Sequence, residues 1–328
     1  MIYPQFLAKG DTIGICAPSA GVDREDACFA RSLHCLQSEG YRIRTTDSVY
    51  SALAESAPPS VRGAEWNELV KDPSVRMILC ATGGDFLIGM LPYVDYEAFA
   101  ASPKWVQGYS DPTGLLYSIT TKWDVATIYG VNAGGFWTEP LDPSLADGLK
   151  ILRGEIPCQH SFALYESSRE GRDSGYALSA PVRWQTPFSD RVKETGRMLG
   201  GCLDCLCDLI GTRFDGTLDF IRRYEKDGVL WYFDIFAMKA ESVYNTLFRM
   251  KDMGLFRTAR AFIFGRVCYP GSFGDFSYVE AAQKAIGDVP MIFDADIGHV
   301  PPKMTVINGA MGEIQCQDGQ GTLRMTLI

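Results

Sequence analysis

The chain has 328 residues, enough for about two domains, and its 46% hydrophobic and 22% charged content excludes a disordered or membrane-spanning chain. Its net charge of −9 comes without any cluster of Lys and Arg of the kind that tracks phosphates, so nucleic acid is not an expected partner. Histidine is scarce, with only His34, His160 and His299, so any mechanism that needs an imidazole has three candidates.

From the N-terminus, the only early cation is Lys9, and the apolar stretch is broken by Pro4 and Gln5. This does not read as a signal peptide, and no window approaches the roughly 18 apolar residues of a spanning helix. A cytoplasmic protein without a membrane partner is expected. TIGICAPS (12–19) predicts a strand, residues 25–39 a helix stopped by Gly40, and YRIRTTDSV (41–49) a second strand. The cycle repeats with a helix over 61–71, a buried strand VRMILCAT (75–82) ending at Gly83 and Gly84, and a helix starting at Phe86. KWVQGYS (104–110), DPTGLLYSITTKW (111–123) and VATIYG (125–130) then read as strand, helix and strand. Such strict alternation predicts a flavodoxin-like α/β domain with a parallel sheet covered on both faces, placed at 1–165.

Residues 166–190, rich in Ser, Gly, Pro and charge, read as a connection. Residues 191–328 read as a mixed, strand-rich α/β domain. It opens with an apolar segment around Gly200, then a helix-like stretch over 214–228, the strand VLWYFDIF (229–236) and a helix over about 241–253. The strand AFIFGR (261–266), a helix over 278–287, the strand PMIFDADIG (290–298) and a strand-rich tail complete it. The ten cysteines form no regular framework, so reduced thiols are expected. Cys202, Cys205 and Cys207 make a CxxC half-site with no second CxxC and no neighbouring His, and read as small buried residues on a helix. No metal or organic cofactor is expected.

Parallel sheets place reactive groups in loops at the carboxyl ends of their strands. At one such end lies Gly108-Tyr109-Ser110-Asp111-Pro112, where a strand turns into a helix. A sharp turn of this kind pushes a serine hydroxyl out of the sheet beside free helix amides, which suit a nucleophile; alternatively Ser110 or Asp111 caps the helix. A serine nucleophile needs a base. His34 lies within a helix pattern and His160 beside the connection, whereas His299 sits at a strand end before two prolines, held by a rigid loop. A carboxylate would orient that ring. Asp234, closing an apolar run, is one candidate, and Asp294 and Asp296 are rivals; alternation would put the latter two on one face.

These segments together resemble the LD-carboxypeptidase family of serine peptidases, which also contains the microcin C immunity peptidases. The resemblance rests on GDTIGICAPS, ATGGDF, MLPYVDY, PKWVQGYSDPTGLL, ATIYG, GGCLDCLCDLIGT, VLWYFD, IFGR and DADIGHVPPKMTVINGA, in order from near residue 11 to near residue 310. It implies a triad of serine, histidine and glutamate. The serine falls on Ser110, the histidine on His299 and the glutamate on Asp234, a departure by one methylene. It also implies an oxyanion hole from the backbone amides of Gly83, Gly84 and Asp111. The implied substrate is a murein peptide losing a terminal D-amino acid, or an aminoacyl or peptidyl conjugate such as a nucleotide antibiotic. A homodimer is the family habit. The shorter acid leaves room for a second reading, a catalytically inactive nucleotide- or peptide-binding module on the same fold.

Overall fold

The computed structural model of the chain describes residues 1–168, 170 and 174–328; residues 169 and 171–173 of the expected connection lie outside the described residues. In the first half, strands β1 (Thr12–Cys16), β2 (Arg42–Thr45), β3 (Val75–Cys80), β4 (Trp105–Gly108) and β5 (Thr127–Tyr129) alternate with helices. These are α1 (Ala27–Ser38), α2 (Pro59–Lys71), α3 (Tyr96–Ala101) and α4 (Thr113–Trp123), followed by α5 (Pro143–Leu152). The five strands are parallel, in the order 2-1-3-4-5. β1, β4 and β5 are buried at every residue, as expected for strands covered on both faces. The order reverses direction between β1 and β3, and the loops after those strands open a crevice there.

The helix expected from Phe86 is instead a 3₁₀ segment over Leu87–Tyr93, because Pro92 interrupts it. The chain re-enters a helix at α3 only after Asp95 caps it by accepting from the Ala98 amide.

The second half is built around a seven-stranded sheet. Its strands are β6 (Gln159–His160), β9 (Arg191–Cys202), β10 (Val229–Asp234), β11 (Ala259–Gly265), β12 (Met291–Ala295), β14 (Met311–Gln317) and β15 (Gln320–Thr326). Between β6 and β9, β7 (Leu164–Tyr165) and β8 (Ala180–Pro181) pair with each other. β9 to β12 are parallel and carry α6 (Leu203–Leu209), α7 (Thr217–Arg223), α8 (Ala240–Asp252) and α9 (Tyr278–Ile286), whereas β14, β15 and β6 run antiparallel at the other side. The strand β13 (Val306–Asn308) crosses back and joins the first sheet, antiparallel to β5. The two sheets are thus stitched by strands exchanged in both directions.

Helix α4 sits between them. Every residue from Thr113 to Thr121 is buried, including the polar ones, so its hydroxyls need partners inside the protein. Tyr117 bonds Thr217 at 2.7 Å, Ser118 donates to the Phe214 carbonyl at 3.0 Å, and Thr113 accepts from the Cys202 amide at 3.0 Å. These bonds fix the start of α4, and with it the turn that precedes it, against the second sheet. Among the described residues no helix is long and apolar enough to cross a membrane.

Candidate active site

Four strand ends converge here: those of β4, β5 and β3 from the first sheet, and that of β10 from the second. Ser110 follows β4 with φ +68°, a left-handed conformation that costs a non-glycine residue about 1–3 kcal/mol and persists only where the surroundings impose it. Asn132 imposes it by clamping the neighbouring residue: its Oδ1 accepts from the Tyr109 amide at 3.1 Å and its Nδ2 donates to the Tyr109 carbonyl at 3.3 Å.

Neither Ser110 nor Asp111 caps the helix. The residue at the cap position of α4 is Pro112, without a side-chain bond to the helix. The Asp111 carboxylate instead accepts from Ser19 Oγ and from the Leu87 amide at 2.8 Å, tying the loops after β1 and β3 to the turn. Burial raises its pKa, with Ser19 and Leu87 opposing. Gly83 lies against Ser110: a methyl group added there would sit 3.0 Å from Ser110 Oγ and 3.9 Å from the Asp111 nitrogen. Gly84, with φ +143°, packs on Ser19 in the same way. Among the described residues the amides of Gly83, Gly84 and Asp111 donate no hydrogen bond, so they remain available to an oxygen in the crevice.

His299 reaches the same crevice from the second sheet. Its Nδ1 lies 2.7 Å from Asp234 Oδ2, and its amide donates to Oδ1 at 3.2 Å. The acid is one methylene short of a glutamate, and the backbone makes up the difference. Gly298, at φ +104°, comes so close to the carboxylate that an added methyl would sit 2.0 Å from Oδ1. The ring is turned off the line of a straight N–H···O bond, so the pair is close without being well aligned. The two rival acids have other partners. Asp296 is committed to Arg266 at 2.5 Å, Trp184 at 2.9 Å and the Phe162 amide at 3.1 Å. Asp294 accepts from Gln185, and its φ of +55° breaks the expected strand alternation, leaving it half-buried while Asp296 is buried. His34 and His160 are both exposed, on α1 and β6, and neither lines the two cavities that His299 lines.

Sequence reasoning missed Tyr129. Its hydroxyl donates to Asp234 Oδ2 at 2.6 Å and accepts from the Ser110 amide at 3.4 Å, so it links the carboxylate to the backbone of the turn. Burial pushes its pKa well up, which keeps it protonated and donating. The signal was present, since Tyr129 ends β5 beside β4. Replacing Tyr129 with phenylalanine should lower stability by about 1–3 kcal/mol by removing a bond to a buried charge. In the hydrolase reading below it should also lower kcat by roughly tenfold at constant KM. A change confined to KM in steady-state assays would contradict this positioning role.

Burial raises the Asp234 pKa, but His299, Tyr129 and Lys303 more than offset it, and the group stays below the ordinary carboxylate range. An acid depressed in the fold contributes stability that is complete above its unfolded pKa, near 4, and lost as pH falls through the lower folded value. Wild-type stability should therefore fall more steeply as pH drops below about 4 than that of Asp234→Asn. Equal acid limbs in denaturant titrations would count against the pairing.

Two cavities meet at His299 and Pro301. The larger, about 1040 Å³, is lined also by Arg183, Gln185, Arg266 and Tyr269; the smaller, about 230 Å³, by Tyr109, Asn132, Trp137 and Lys303. The Lys303 ammonium stands 3.5 Å from the centre of the Tyr109 ring, and Phe236 flanks His299 with ring centres 4.6 Å apart. Cys202 is buried beside Asp234, while Cys205 and Cys207 are half-buried on α6.

Residues 13–130 match the family model for the LD-carboxypeptidase N-terminal domain, and residues 195–314 that for the LD-carboxypeptidase C-terminal domain. A Vibrio cholerae relative is 26% identical over 327 residues, covering 96% of this chain and 95% of its own. The microcin C7 self-immunity protein of Escherichia coli is 37% identical over 223 residues, 63% of each chain. The Bacillus subtilis protein named "Probable murein peptide carboxypeptidase" is 25% identical over 232 residues, 68% of this chain and 66% of its own. Among solved structures, the microcin C7 self-immunity protein in complex with adenosine monophosphate superimposes with a TM-score of 0.80 at 23% identity over 99% of both chains. The same protein in complex with aspartyl sulfamoyl adenosine gives 0.79 at 23% identity, again over 99% of both.

Proposed function

The chain belongs to the LD-carboxypeptidase family, a family of peptidases, and from that premise we propose that it is a serine hydrolase that cleaves an amide bond through Ser110, His299 and Asp234. The observation that carries this reading is the His299–Asp234 pair, 2.7 Å apart and linked by the Tyr129 hydroxyl to a Ser110 held at φ +68°.

Ser110 Oγ attacks the carbonyl carbon while His299 Nε2 takes its proton. The amides of Gly83, Gly84 and Asp111 receive the developing oxyanion. His299 then passes the proton to the leaving amine, and water releases the acyl-enzyme by the same steps. Asp234 fixes the imidazole with its proton on Nδ1, leaving Nε2 as the acceptor. Nothing in these steps calls on a metal or organic cofactor.

The two cavities that share His299 offer separate room for the acyl and leaving sides of a substrate. The relatives' names support two substrate classes, a murein peptide and an aminoacyl conjugate of a nucleoside; within them we propose loss of a terminal D-amino acid from the first, and an aminoacyl or peptidyl group released from the second. Incubating the protein with a murein tetrapeptide and with an aminoacyl sulfamoyl adenosine, each followed by mass spectrometry, distinguishes them. Cleavage of either supports the hydrolase. Binding of either ligand without cleavage by folded protein supports the alternative, an inactive binding module. We further propose a cytoplasmic homodimer, which light scattering on the purified chain tests for assembly.

A further inference from the structure

We propose that Cys202, Asp234 and His299 form a binding site for a thiophilic divalent cation, zinc above all, and that filling it switches the hydrolase off. Each of the three offers a ligand atom, these atoms all lie within 4.8 Å of one another, and all three residues are buried. Cys202 and Asp234 are register partners on β9 and β10, and the Gly298 turn brings His299 onto them. The sequence showed only a CxxC half-site; the fold supplies the missing imidazole and carboxylate.

A second observation points the same way. His299 is more than nine-tenths buried, and its Nδ1 has no well-aligned hydrogen bond despite its closeness to Asp234. One sulfur, one nitrogen and one oxygen suit zinc, whose bonds of about 2.0–2.3 Å would draw the sulfur in and open the Nδ1–Oδ2 contact, now 2.7 Å. The fourth position is left to water.

The binding step balances. Cys202 releases its proton to solvent, Asp234 is ionised, and the two negative charges cancel those of the cation, so no net charge is left buried. His299 binds as a neutral ring through Nδ1, which confines its remaining proton to Nε2. That nitrogen, the base in the proposed mechanism, then becomes a donor and cannot take the serine proton. The switching half of the proposal rests on the hydrolase reading; the site itself does not.

Cobalt(II), added to the reduced, metal-free full-length chain, is the probe. The expected result is thiolate-to-cobalt charge-transfer absorption with intense visible bands, displaced by zinc. These bands should be lost in Cys202→Ser and in His299→Ala, but kept in Cys207→Ser. His299→Ala alters a loop residue, so it answers the question even if Cys202→Ser fails to fold. Zinc should also slow labelling of Ser110 by a fluorophosphonate by roughly tenfold or more, and a chelator should reverse this. Absence of the cobalt bands, or bands unchanged in both variants, overturns the site. Cobalt bands with zinc-insensitive labelling overturn the switch. Bands in a wild-type chain that never labels count against the hydrolase reading instead.

Discussion

Ser110→Ala should lower kcat/KM by roughly 10⁴-fold or more, the scale seen when a triad nucleophile is removed and only binding and oxyanion stabilisation remain. Stability should hardly change, because among the described residues the Ser110 hydroxyl makes no hydrogen bond that alanine would lose. Ser110→Gly sharpens the test. Glycine adopts φ +68° without the penalty that serine bears, so this variant should be as inactive as the alanine variant yet about as stable as wild type or slightly more so. A residue kept for structure would behave in the opposite way, losing stability while leaving turnover intact. Steady-state kinetics and thermal melts on the two variants separate the cases.

Gly298→Ala should damage activity and stability together. The added methyl would lie 2.0 Å from Asp234 Oδ1 and 2.3 Å from its Cγ, at a backbone φ of +104° that suits only glycine. Either the turn carrying His299 or the buried carboxylate must move. A displacement of about 1 Å in a catalytic group costs on the order of 100-fold in rate, and strain with a disturbed buried charge costs about 2–4 kcal/mol. The same crowding makes an unintuitive prediction for the acid. Asp234→Glu installs the glutamate that the family resemblance implies, yet it should lower activity, because Gly298 already occupies the space an extra methylene needs. Activity in Asp234→Glu equal to or above wild type would show that the loop yields easily, and would remove the close approach as the device that seats His299.

Most of the first half was legible because its signals are local. β1 and β3 are short apolar runs, α1 stops at a glycine, and strand follows helix without exception, so the parallel sheet could be read from pattern alone. The 3₁₀ segment over Leu87–Tyr93 was misread because the apolar spacing looked helical and Pro92 was not weighed against it. β9 was seen only as an apolar stretch near Gly200. Its first residues alternate between exposed and buried, and only pairing with β14 makes them strand. β13 could not have been placed in the first sheet, since pairing over such a sequence separation leaves no mark in a local window.

The site divides in the same way. Ser110, His299 and the glycines lie in loops at strand ends, where their residue types suit ordinary turns as well as a site, and only the family resemblance singled them out. Three acids competed for His299 in the sequence, and only long-range contacts distinguish them: Arg266 and Trp184 take Asp296, Gln185 takes Asp294, and Asp234 is left facing the ring. Tyr129 escaped notice because a tyrosine at the end of a buried strand is usually core, and its role depends on Asp234, 105 residues away. Cys202 was set aside as small and buried, which it is, but its neighbours across the strands were invisible.

The most direct test of the central claim is the intact mass of the protein after exposure to a fluorophosphonate probe, with peptide mapping of the adduct. The account predicts one adduct per chain, on Ser110, absent from Ser110→Ala and strongly reduced in His299→Ala. A folded wild-type chain that gains no mass, or gains it on another serine with Ser110 unmodified, would contradict it.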